Sequence, residues 1–131
     1  MRAWLLILVA ALVGLLLLLG GCDWASFSKR AANPYPGDLA SAARGQALFF
    51  ELCAPCHGLQ GKGDGPLAAT LKAPPTDFTD RSYMVTRGDP DFFWGILRGR
   101  GGIMPPFQGR LSEAEMWDLV NYVRTLYPAS P

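Results

Sequence analysis

The sequence predicts an all-α, loop-rich domain of three to five short helices. Apolar residues recur at three- and four-residue intervals in two separate segments, and helix-capping residues stand at the head of each. No run keeps the strict alternation of a half-buried strand over useful length, and neither an internal repeat nor a βαβ rhythm is present.

The chain opens with Arg2, an apolar run from Ala3 to Leu19, and Gly20-Gly21-Cys22. That order reads as a positive n-region, an h-region and a small-residue cleavage site, so residues 1–21 are set apart from the fold. Leu19-Gly20-Gly21-Cys22 resembles the lipobox of bacterial lipoproteins, which implies cleavage before Cys22 and a diacylglyceryl group on its thiol. The alternative is an uncleaved helical anchor, because the run is long for an h-region and only slightly short for a span. Under either reading Arg2 stays inside, and the remainder is expected on the periplasmic or outer side of a bacterial membrane.

Residues 22–37 mix Ser, Lys, Arg, Asn, Pro and Gly without sustained periodicity and are expected to be a flexible tether. The folded domain is expected over 38–131. From Asp38, Ala42, Gly45, Phe49, Leu52 and Cys53 form one helical face, with Asp38 or Ser41 as cap. Cys53 to Gly65 is expected to be loop. A short helix is expected after it, with Pro66 in the first turn and Ala68 to Lys72 following, stopped by Pro74-Pro75. Asp89-Pro90-Asp91 supplies cap, first-turn proline and first-turn carboxylate for a helix through Leu97 that Gly99 closes. The last helix is the clearest: Ser112 and Glu115 form a capping box, and Met116, Leu119, Val120, Val123 and Tyr127 make an apolar stripe ahead of Pro128.

Without the signal the chain carries as many basic as acidic residues, with no cluster of Lys and Arg, which argues against nucleic acid as a partner. Cys22 belongs to the lipobox, so Cys53 and Cys56 leave nothing over for a disulfide framework.

Cys53-Ala54-Pro55-Cys56-His57 is a C-x-x-C-H motif, the signature of covalent haem attachment. Two thiols add across the porphyrin vinyl groups, and the adjacent imidazole takes the iron from below. A zinc site normally takes four Cys or His ligands, and this locus offers three. A thioredoxin-like pair follows a strand, whereas Cys53 ends a helical pattern. The expected cofactor is therefore one covalent haem c. His57 is the only histidine, so a sixth ligand must be of another kind.

Gly45-Gln46-Ala47-Leu48-Phe49 before the motif, Gly65-Pro66-Leu67 after it, Met104-Pro105-Pro106-Phe107, and Leu119-Val120-Asn121-Tyr122-Val123 together resemble class I cytochrome c over residues 38–127. The resemblance implies that Met104 is the distal ligand opposite His57, a pairing associated with raised reduction potential. Met84 and Met116 are its rivals. Met84 lacks the Gly101-Gly102 and Pro105-Pro106 frame, and Met116 belongs to a helix stripe. The resemblance further implies that the Pro66 carbonyl accepts the proton of the imidazole nitrogen not bound to iron. Gly45 and Phe49 are expected to meet Leu119 and Tyr122 where the first and last helices cross. Trp94, Arg98, Arg100 and Arg81 are candidates for bonds to the haem propionates.

With both axial positions filled and no cluster of acid, base or nucleophile, no small-molecule substrate is expected. What remains is outer-sphere electron exchange with redox proteins. The expected setting is a respiratory or photosynthetic chain, as a subunit of a quinol-oxidising complex or a tethered shuttle to an oxidase or reaction centre. The monohaem lipoprotein of alternative complex III is one resemblance of this kind. The alternative function is a haem-based gas sensor or peroxidase-like enzyme in which the distal Met is labile.

Overall fold

The computed structural model describes residues 32–127; the signal, Cys22 and Pro128 lie outside them. Five α-helices carry the described chain: α1 (Leu39–Leu52), α2 (Ala54–His57), α3 (Arg81–Met84), α4 (Asp89–Arg98) and α5 (Glu113–Thr125). A single 3₁₀ turn covers Ala68–Thr70, and the only extended pairings among the described residues are two isolated bridges. No helix among the described residues is long and apolar enough to cross a membrane.

α1 starts where Asp38 accepts a hydrogen bond from the Ser41 amide at 2.6 Å, which satisfies one of the free donors of the first turn. It buries Ser41, Ala42, Gly45 and Phe49, a face set by four-residue spacing. α5 begins on the expected capping box: Ser112 Oγ accepts from the Glu115 amide at 3.3 Å, and the Glu115 carboxylate accepts from the Ser112 amide at 2.8 Å. Its continuous burial from Met116 to Val123 places it at the centre of the domain.

The two long helices cross at Gly45. A Cβ there would lie 2.0 Å from the Asp118 carbonyl oxygen and 2.9 Å from the Leu119 amide, so only glycine permits the approach. One turn on, Phe49 packs on Tyr122 with ring centroids 5.2 Å apart. The expected contact of Gly45 and Phe49 with Leu119 and Tyr122 is present. α4 joins through Phe93, stacked on Trp117 at 4.2 Å.

The crossing also carries buried polar groups, all of them bonded. Ser41 Oγ donates to Asp118 Oδ1 at 2.6 Å, and Asn121 Nδ2 donates to Ser41 Oγ at 2.8 Å. Arg44 binds both Asp118 oxygens at 2.8 Å from the rim. Asn33 Nδ2 donates to Asn121 Oδ1 at 2.8 Å and to Asp89 Oδ2 at 2.7 Å, while Asn121 Nδ2 donates to the Tyr35 carbonyl at 3.0 Å. Residues 33–37, expected to belong to the tether, are therefore bound to the folded body, which begins earlier than Asp38.

Four elements differ from expectation. Cys53–Gly65 contains a helical turn, α2, because the His57 amide donates to the Cys53 carbonyl at 2.8 Å. The helix expected after Gly65 shrinks to the 3₁₀ turn: the Gly65 and Leu67 amides are drawn to the Cys56 and Pro55 carbonyls, and Leu71 is already extended. Pro74 and Pro75 then bias the residues before them away from helix. α3 had no periodic signal, being one turn long, and is capped by Asp80 accepting from the Ser82 amide at 2.9 Å. In α4 the cap is Gly88 rather than Asp89, with Asp91 accepting from the Gly88 amide at 2.8 Å.

Candidate haem site

Cys53 caps the C-terminal end of α1 and opens α2, where Pro55 suits the first turn because its missing N–H has no helical partner to lose. Both thiols are free and half-buried. Burial, with a smaller contribution from Cys56, pushes the Cys53 thiol up to about 12, so it rests as the neutral thiol.

Cys53, Cys56 and His57 line one cleft of about 310 Å³, at the lower end of the usual range for ligand sites. Its walls are apolar: Leu52 at the end of α1, Leu71, Ala73 and Pro74 on one stretch, and Ile103, Met104, Pro105 and Phe107 on another. A second apolar cavity, of about 50 Å³, shares Cys53, His57, Thr76, Arg100 and Met104 with it and reaches Phe49, Phe92 and Leu119 of the core.

The His57 ring is held on two sides. It stacks on Phe78 at 4.7 Å, and its Nδ1 lies 3.2 Å from the Thr76 carbonyl oxygen. A carbonyl can only accept, so the proton sits on Nδ1 and Nε2 keeps its lone pair for a metal. Burial lowers the His57 pKa, against the raising effect of the Thr76 bond, and so favours the neutral imidazole that ligation requires. Pro66, expected to accept this proton, is exposed and lines a separate groove with Phe50, Ala54 and Leu59. The ties from Gly65 and Leu67 to the Cys56 and Pro55 carbonyls carry it there, and Thr76 stands at the ring in its place.

Met104 is half-buried and is the methionine that lines the cleft. The loop that presents it is closed by reciprocal backbone bonds of 3.1 Å between Arg100 and Met104. Gly99 makes the turn at φ 72°, where a Cβ would stand 2.3 Å from the Met104 carbonyl oxygen. Beyond Pro105-Pro106, the Phe107 and Gln108 amides bond to the Ile96 and Leu97 carbonyls, fixing the loop to the end of α4. Met84 is 0 % exposed and Met116 is 4 % exposed, both in the hydrophobic core and away from the cleft.

The propionate candidates separate as clearly. Arg98 lies over the Trp94 ring at 4.3 Å, and neither residue lines the cleft. Arg98 occupies the last turn of α4 and is exposed. Arg81 stands exposed at the first position of α3. Arg100 lines both cavities.

No group of three His, Cys, Asp or Glu side chains able to hold a metal ion occurs among the described residues. Two thiols, one oriented imidazole, one thioether and apolar walls fit a porphyrin. The fold and site thus define a domain built to hold a single covalent haem.

The chain belongs to the cytochrome c family, whose model matches residues 42–127. It is similar to the cbb3-type cytochrome c oxidase subunit FixP of Azorhizobium caulinodans, with 32% identity over 78% of this chain and 33% of that protein. It is likewise similar to the subunit CcoP of Rhodobacter capsulatus, with 34% identity over 70% of this chain and 31% of that one. The chain spans about a third of the length of these curated relatives. Among solved structures it resembles a chain of the Kuenenia stuttgartiensis reducing HAO-like protein complex Kustc0457/Kustc0458, at TM-score 0.64 and 31% identity, covering 72% of this chain and 47% of that chain. It also resembles the KustC0563 c-type cytochrome, at TM-score 0.57 and 28% identity over 64% of this chain and 98% of that one. The fold is that of class I cytochrome c, and the cofactor is haem c, with Cys53 and Cys56 placed for the thioether bonds.

Proposed function

We propose that this protein is a membrane-tethered monohaem cytochrome c that passes single electrons to or from a respiratory oxidase, with His57 and Met104 as axial ligands and Cys22 as the lipidated anchor. The observation that carries the reading is the shared cleft: His57 and Met104 both line it, while Met84 and Met116 are core residues. Haem supplies the one-electron chemistry. The chain's own part is to orient the imidazole through Thr76, hold the thioether on a doubly bonded loop, and keep water from the cavity with apolar walls.

The relatives named above are oxidase subunits, which moves the proposed partner toward an oxidase and away from alternative complex III. Formal charge near zero gives little long-range steering, so docking is expected to depend weakly on salt. A lipid on Cys22 raises encounter frequency by holding the domain at high effective concentration near membrane complexes.

Extraction of membranes in mild detergent, followed by haem staining and mass spectrometry of the stained band, tests the proposal. Co-migration with oxidase subunits and an acylated Cys22 are expected; a stained band released without detergent would overturn the tether. The ligand assignment is tested on Met104→Ala, which is expected to abolish the sulfur-to-iron absorption band and to let the ferrous protein bind CO rapidly. Rapid CO binding by the unaltered protein would favour a sensor instead.

A further inference from the structure

Beside α2 lies an open groove of about 590 Å³ that shares no residue with the haem cleft. Phe50, Leu59 and Pro66 line it with Ala54 and Pro55. Five large apolar side chains stand exposed among the described residues; two of them, Phe50 and Leu59, line this groove, and a third, Leu67, follows Pro66 at its edge. Such a concentration of exposed apolar surface marks an interaction site. The groove is also fixed in place. The Gly63 amide donates to the His57 carbonyl at 2.8 Å, the Gly65 amide to Cys56 at 3.1 Å and the Leu67 amide to Pro55 at 2.9 Å, so the loop is fastened to the turn that carries the attachment residues. Little ordering is left to be done on binding.

Asp64 is the only ionisable group among the residues that line the groove. Its Oδ1 rests on Gly58, where a Cβ would come within 2.0 Å of it, and no hydrogen bond or ion pair among the described residues engages the carboxylate. One carboxylate among apolar walls complements a cation carried next to an apolar side chain. Phe50 ties the groove to the haem site as well: its ring lies edge-on to Phe49 at 6.5 Å, and Phe49 lies 6.4 Å from the His57 ring. Packed rings and the Gly63 bond to His57 give an occupant of the groove a continuous contact path to the imidazole, which a redox partner can use. We propose that this groove is a docking site for the redox partner, occupied by a partner segment that presents a lysine or arginine to Asp64 and a large apolar side chain to Phe50 and Leu59. A single charge pair within apolar contact keeps the salt dependence of docking weak, in agreement with the near-neutral chain. This inference rests on the reading of the protein as an electron carrier for a respiratory oxidase.

The test mixes the reduced, full-length haem-loaded protein with oxidised oxidase purified from the same membranes and follows the second-order rate of electron transfer in stopped flow. Asp64→Lys, Asp64→Asn and Leu59→Ser alter the groove. Glu51→Lys reverses an exposed charge next to Phe50 that does not line it. Asp64→Lys is expected to slow transfer about tenfold, Asp64→Asn and Leu59→Ser about threefold, and Glu51→Lys less than about twofold. Haem staining and reduction potential should stay at the parental values in all four. Equal slowing by the two lysine variants would reduce the effect to net charge and overturn the proposal, as would a slowing that tracks a shifted potential. Hydrogen exchange supplies the second readout: oxidase is expected to protect the amides of residues 58–67. Protection by phospholipid vesicles alone would make lipid the occupant, and protection that grows with the concentration of the chain alone would make it a second copy; either result overturns the proposal. The two readings fail separately. A parent that passes no electrons to the oxidase overturns the choice of partner and this inference with it, whereas an active parent whose variants all keep its rate overturns the groove alone.

Discussion

The crossing of α1 and α5 and the cleft between α2 and the Met104 loop are built on opposite plans. At the crossing, protein atoms meet protein atoms: Gly45 admits the backbone of α5, and every buried side-chain polar atom among the described residues has a partner. Around the cleft the secondary structure is reduced to single turns and isolated bridges, and apolar side chains line a cavity shaped for a cofactor. A small domain can carry half of its core on a prosthetic group, provided the other half is complete without it. The crossing supplies order, and the cleft supplies chemistry.

The largest test of this contrast is removal of the attachment thiols. Cys53→Ala with Cys56→Ala is expected to eliminate covalent haem, read by staining, and to make amides of residues 58–80 exchange far faster than those of α1 and α5. Equal loss of protection in both regions would break the comparison, showing that the crossing also depends on haem. Next comes Gly45→Ala, which drives a methyl group into the Asp118 carbonyl. Overpacking against backbone is expected to cost roughly 3 kcal/mol in denaturant unfolding of the haem-loaded protein, without moving the reduction potential.

Asn33→Ala should cost less, about 1 kcal/mol for bonds that tie residues 33–37 to α5, and protease sensitivity ahead of α1 should rise. An unchanged cleavage pattern would place the start of the body back at Asp38. The smallest expected effect concerns pH. Hydrogen bonds from the Ser112 amide and hydroxyl hold the Glu115 carboxyl below its ordinary 4.5. A depressed folded-state pKa contributes stability that is full above the unfolded value and fades as pH falls through the folded one. Glu115→Gln keeps the cap donor and acceptor but removes this ionisation, so the acid side of the stability profile should flatten slightly; an identical profile would assign the acid sensitivity to other carboxylates.

Much of the site was legible in the residues, because its chemistry is local. C-x-x-C-H is contiguous, and the glycine and proline frame of Met104 spans six residues. Caps were legible for the same reason: Asp38 and Ser112 act within one helical turn. What escaped were partners chosen by the return of the chain. Nothing in the spacing of Pro66 and Thr76 says which carbonyl faces His57, since that depends on where the Gly65 and Leu67 amides find acceptors. Arg98 and Arg100 are close in sequence and equal in charge, yet with Gly99 between them at φ 72° one lies over Trp94 and the other borders the cleft. Gly99 is legible as a helix stop; its effect on the next arginine is not.

The sequence by itself determined the all-α class, the haem attachment residues, and the two helices whose crossing organises the domain, since periodicity, capping and a contiguous motif act over a few residues. Only the tertiary structure decided that Thr76 orients the ring and that Asn33 closes the body over Asn121. Each of these is a choice among chemically equivalent groups, and equivalent groups are told apart only by where folding leaves them.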